Sequence, residues 1–127
     1  MIEKEVGVIE GEAVAVAPIT IEHGEFITDG IVPGESDDHV SIVRNNSQKE
    51  YQIKYNLTMD PLKPTDKMLA TFVPYVNGAL YPHGTWVLLG PRSVHELLIR
   101  LTLLPDCPLG NGVKFKCRVW TGEELIE

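Results

Sequence analysis

The side chains best equipped for chemistry are four histidines, two cysteines and a run of carboxylates. His23, His39, His83 and His95 are scattered, and none stands at the i, i+4 or His-x-His spacing that gathers metal ligands onto one face. His95-Glu96-Leu97-Leu98-Ile99 opens like the zinc-protease motif, but Ile99 stands where the second histidine is required. His95 therefore reads as a satisfied, partly buried histidine. Glu35, Asp37 and Asp38 follow Pro33-Gly34 and read as one acidic loop. Oxygen-rich loops hold hard cations such as calcium, yet this spacing is not that of an EF-hand, and a solvated loop is the simpler reading. Cys107 and Cys117 are too few for a disulfide framework and lack zinc-ligand spacing. Cys117 alternates with basic residues on the same face as Phe115 and Val119, so it reads as a core residue. Cys107 lies in the turn Pro105-Asp106-Cys107-Pro108 and reaches Cys117 only if that turn folds over the strand, so a bridge and two free thiols both stay open.

The motifs that activate a nucleophile or cradle a phosphate are missing: there is no Gly-x-Ser-x-Gly elbow, Walker loop or Rossmann glycine run. The chain reads as a non-enzyme with no catalytic, cofactor-binding or metal residues and no cofactor. Two sequons, Asn45-Asn46-Ser47 and Asn56-Leu57-Thr58, matter only in a secreted chain whose host glycosylates.

Composition sets the class. The 127 residues, 43% hydrophobic and 23% charged, suit one domain with a packed core, far from the polar signature of disorder. With 11 basic against 18 acidic side chains the net charge is −7, which opposes phosphate backbones and anionic lipid, so nucleic acid is not an expected partner. No apolar run approaches the ~20 residues of a membrane span. The chain opens at Met1-Ile2-Glu3 with no basic-then-apolar leader. That fits a protein used inside the cell or virion, or a mature secreted form.

These residues must be positioned by strands, because period-two alternation dominates. Tyr51, Ile53, Tyr55 and Leu57 alternate with Gln52, Lys54, Asn56 and Thr58, as a half-buried strand demands. Residues 40–44, 68–76, 85–89 and 113–120 follow the same logic, with turn residues between them and Asn77-Gly78 as a tight-hairpin signal. Residues 93–104 are ambiguous. Ser93-Val94-His95-Glu96 fits a helix capping box, but Ile99, Thr102 and the all-β surroundings favour a strand. Residues 60–67, with Pro61 and Pro64, read as a loop holding one helical turn near Thr65. The expectation is an all-β, two-sheet sandwich of immunoglobulin type, one domain over residues 1–127 with a body at 23–127.

Residues 1–22 stand apart. From 5 to 22 the chain is rich in Val, Ala and Ile with little turn chemistry, and Pro18 interrupts central strand pairing. This segment reads either as a first strand in the chain's own sheet or as an arm exchanged between subunits, adding a strand to a neighbour's sheet edge.

Three marks then fall in a familiar order. Pro33-Gly34-Glu35-Ser36 precedes a strand ending at Asn45-Asn46-Ser47; Trp86-Val87-Leu88-Leu89-Gly90-Pro91 leads into residues 94–104; Leu104-Pro105-Asp106 and Gly110-Asn111-Gly112 precede the closing strand. Over residues 30–120 this resembles the secreted immunoglobulin-like domains of the TasA and camelysin biofilm-fibre type and their archaeal pilus relatives. The resemblance implies an extracellular or cell-surface filament subunit, a homo-oligomer joined through residues 5–22 by donor-strand complementation. A virion or phage structural protein, decorating a capsid or tail, is the alternative, since it needs no leader. A carbohydrate-binding module reading a glycan with Tyr75, Tyr81 and Trp86 ranks lower, because Trp86 beside Val87-Leu88-Leu89 reads as core.

Overall fold

A computed structural model describes residues 2–26, 30–61 and 69–122. Eight strands form: β1 (Ile19–Glu22), β2 (Ser36–Asn45), β3 (Tyr51–Pro61), β4 (Ala70–Val76), β5 (Ala79–Leu80), β6 (Trp86–Leu89), β7 (Val94–Leu103) and β8 (Val113–Thr121). They make a five-stranded sheet in the order β1-β2-β7-β4-β5 and a three-stranded sheet in the order β6-β3-β8, both antiparallel. Among the described residues no helix is long and apolar enough to cross a membrane.

The two sheets meet over a main core, beside a smaller cluster of Ala70, Leu101, Leu103 and Cys107. Val43, Val76, Leu97 and Ile99 from the larger sheet pack with Ile53, Tyr55, Leu57 and Leu89 from the smaller. The alternation seen in the sequence therefore points as expected, with odd-numbered residues of β3 and β7 turned inward. Residues 94–103 are a strand. Pairing with both β2 and β4 settles the ambiguity, and the capping box does not form. Ser93 Oγ donates to Pro91 O, while Glu96 N–H donates to Asn77 Oδ1. Asn77 and Gly78 take φ of 50° and 82° between Val76 and Ala79, the left-handed pair of a two-residue hairpin turn. Pro74 sits inside β4 at no cost to the sheet: β7 lies on its other side, and its carbonyl accepts from Tyr81 N–H.

Two sequence expectations are corrected. Asp37 and Asp38 are not in a loop with Glu35; β2 begins at Ser36, four residues earlier than its apolar pattern, because residues 36–39 pair with residues 99–102 of β7. Trp86 is not core. It is 37% exposed on the outer face of β6, with Lys54 Nζ 5.0 Å above its ring. The helical turn expected near Thr65 lies outside the described residues.

β6 is short, and its pairing with β3 stops at Lys54. Beyond that point two side chains stand in for a strand. Tyr81 Oη accepts from Tyr55 N–H at 3.0 Å and donates to Thr85 O, and His83 Nε2 lies 3.2 Å from both Leu57 N and Leu57 O. Buried backbone groups need such partners. One residue ties the ends of the sheets together. Asn45, 1% exposed at the end of β2, donates from Nδ2 to Lys49 O at 2.7 Å and Gly90 O at 2.9 Å. Its Oδ1 accepts from Ser47 N–H and Ser47 Oγ, each at 2.9 Å.

Candidate assembly groove

β8 turns Val113, Phe115, Cys117 and Val119 inward and Lys114, Lys116 and Arg118 outward. Among the described residues its only strand partner is β3. The opposite edge of β8 borders a groove of about 890 Å³ between the sheets. The floor and far wall are inward-facing residues of the larger sheet, chiefly Val43, Leu97, Ile99 and Leu101. Side chains that would be fully covered in a closed core, Phe115, Cys117 and Val119, are left half-buried here.

One end of the groove is polar. His39 Nε2 lies 2.7 Å from His23 O and 3.0 Å from Ser41 Oγ, and Ser41 Oγ donates to His23 O at 2.8 Å. Phe26 bridges the two walls there, its ring centroid 5.2 Å from both His39 and Phe115. Deeper in, Cys117 is a free thiol that burial pushes up to about 11, so at neutral pH it is a protonated, weakly reactive lining group.

The N-terminal segment divides in two. β1 takes residues 19–22 into the chain's own larger sheet, pairing Ile19 with Asn45 and Glu22 with Ile42. Residues 2–18 form no strand and are exposed throughout, including Ile2, Val6, Val8, Ile9, Val14 and Val16. The arm departs beside the β2–β3 turn, where Ala17 O accepts from Asn46 Nδ2 and Pro18 O from Asn46 N–H.

The remaining candidates do not converge on a second site. The four histidines are spread over the fold, and among the described residues no three His, Cys, Asp or Glu side chains gather as metal ligands. Asp38 is held below the ordinary carboxylate range by Arg100, which donates to both its oxygens at 2.8 and 3.0 Å. His95 is 2% exposed between Tyr55 Oη and Leu88 O, each at 2.8 Å, and burial lowers its pKa. Since Leu88 O only accepts, Nε2 carries the proton and Nδ1 accepts from Tyr55, the arrangement of a neutral imidazole. Cys107 and Cys117 are both free. Tyr75, Tyr81 and Trp86 share no rim. Tyr81 is 3% exposed in the core, Tyr75 lies under Arg100, on the larger sheet, and Trp86 is on the smaller. Of the two sequons, Asn45 is sealed in its hydrogen-bond set, while Asn56 lies on the outer face of β3.

The groove is the feature that sequence reasoning missed. Its residues had been legible as core positions, but which edge of which sheet stays open depends on pairing across 50 or more residues, as between β2 and β7. Comparison of the chain with protein-family models, with curated proteins and with solved structures finds no match.

Proposed function

We propose that the chain is a structural subunit of an extracellular filament or surface assembly, an immunoglobulin-like domain joined to its copies by β-strand complementation. The observation that carries this reading is the apolar groove along the edge of β8 that has no strand partner among the described residues, in a chain that also exposes a valine-rich arm at residues 2–16. Each half lacks what the other supplies. A strand laid beside β8 gains backbone hydrogen bonds along the edge and covers apolar side chains, at roughly 25 cal/mol per Å² removed from water. An edge left bare is an aggregation hazard that folded proteins cover or charge. The arm leaves beside the β2–β3 turn, held there by Asn46.

The test is deletion of residues 2–17, which leaves β1 intact. Wild-type protein should assemble with rising concentration, as read by sedimentation velocity and electron microscopy, and the deletion should stay monomeric. A synthetic peptide of residues 2–17 should bind the deleted protein and raise its melting temperature. Assembly by the deleted protein at the wild-type concentration, or a wild-type protein monomeric at every concentration, refutes the reading.

A further inference from the structure

Resting on that reading, we propose that the arm enters the groove on its small-residue face: Gly7, Ile9, Gly11, Ala13 and Ala15 point inward, while Glu10 and Glu12 lie along the outward lysines and arginine of β8. The valines at 8, 14 and 16, which a hydropathy reading would bury, face out.

The inference follows from side-chain parity and charge. A strand beside β8 repeats its alternation, so alternate residues face the groove whichever way the strand runs. With even-numbered residues inward, the inward set reads Ile2, Lys4, Val6, Val8, Glu10, Glu12, Val14 and Val16. Its charge-free stretches then hold only two inward side chains, at 6–8 and at 14–16. Any longer segment thrusts Lys4, Glu10 or Glu12 into an apolar groove lined by the half-buried Phe26, Phe115, Cys117 and Val119 over a covered floor of Val43, Leu97, Ile99 and Leu101. An unpaired charge in such a place is heavily penalised. The odd-numbered set is free of charge from 7 to 15, and those nine residues alone match the 9 residues of β8.

The outward side agrees independently. Lys114, Lys116 and Arg118 make a row of three exposed cations on β8 in a protein of net charge −7. The outer-face neighbours they meet across β3 are Asp60, Thr58 and Asn56, so one acidic group faces three basic ones. The outward, even-numbered face of the arm, by contrast, has Glu10 and Glu12 against Lys4. Opposite charges on neighbouring strands of one face stabilise the pair, and the same row repels a misregistered or basic strand. The groove edge also has room for the arm's inward side chains beside the half-buried Phe115 and Val119, where glycine and alanine let the backbone approach closely.

Arm substitutions decide the matter, because residues 2–16 are exposed in the free subunit, and the arm is held to the domain through the backbone oxygens of Ala17 and Pro18 and not through the side chains substituted. Ala13→Glu and Ala15→Glu should abolish assembly, and Val14→Glu and Val16→Glu should assemble near the wild-type concentration. The reversal E10K/E12K should raise the concentration needed by about tenfold, and K116E/R118E in the same chain should restore it. If the valine variants fail and the alanine variants assemble, the inward face is the even one and the inference is overturned, while strand complementation stands. If E10K/E12K assembles like wild type, the charge match is overturned. If deletion of residues 2–17 leaves assembly intact, the underlying reading fails instead.

Discussion

Replacing Asn45 with Asp keeps the size and shape of a side chain that holds the turn of β2 and β3 against the end of β6, and removes only its donor. In the native protein Nδ2 points at three carbonyls, those of Lys49 at 2.7 Å, Gly90 at 2.9 Å and Leu89 at 3.4 Å. A carboxylate there places an acceptor against acceptors. Two good hydrogen bonds are lost, at about 1–3 kcal/mol each, although Gly90 O keeps Ser93 N–H at 3.3 Å and Lys49 O has Ser47 Oγ at 3.3 Å, and the new charge is 1% exposed with only Ser47 N–H and Oγ still donating. The expected loss at pH 7 is about 3–5 kcal/mol, a drop of roughly 10–20 °C in melting temperature for a domain of this size. Burial also favours the protonated acid, whose O–H restores one donor. Stability of Asn45→Asp relative to wild type should therefore recover as pH falls from 7 toward 4, whereas Asn45→Ala stays low throughout. Thermal unfolding of the three proteins by circular dichroism across that range reads the effect. A loss below about 1 kcal/mol for Asn45→Asp at pH 7, or no recovery in acid, would refute the view that Asn45 works through its buried amide.

His95 gives a second pH dependence, of opposite sign. Its imidazole is neutral in the folded state with a lowered pKa, so the unfolded chain binds the proton more readily. Stability is complete above the unfolded value near 6.5 and falls below it at up to about 1.4 kcal/mol per pH unit, until the folded pKa is reached; urea midpoints at pH 7.5 and 5.5 should diverge less in His95→Gln, and equal divergence sinks the assignment. Cys117, with a pKa pushed up to about 11, should alkylate with iodoacetamide at pH 8 on the order of a hundredfold more slowly than in urea, as followed by peptide mapping. An unprotected rate would mean that the groove does not shield it.

The strands were readable where local alternation was strong. β3 announces itself through Tyr51, Ile53, Tyr55 and Leu57, and Asn77-Gly78 through its turn chemistry. The sequence misled where position depends on distant partners. Ser36 to His39 look like loop because they are polar, and become strand only against residues 99–102. Trp86 looks like core because its neighbours are apolar, yet in a short edge strand alternation turns it out beside Lys54. His95 was legible as a satisfied histidine, but its partners Tyr55 and Leu88 were not, since both lie across the sandwich on the other sheet. The groove was the least legible of all. An open edge is a property of topology, and nothing in Phe115-Lys116-Cys117 says that one side of it is bare.

Tyr81 and His83 substitute for a missing stretch of β6, which bears on how copies are arranged. By engaging Tyr55 N–H and one backbone group of Leu57, and by occupying the space a strand would need, they obstruct pairing of another molecule along that flank of the smaller sheet. Where strand complementation uses β8 alone and not the short outer edges at β1 and β5, each subunit offers one acceptor and one donor arm, a valence of two with unlike ends. Such units do not branch: they join head to tail into a polar chain, open or closed into a ring according to the rotation between neighbours.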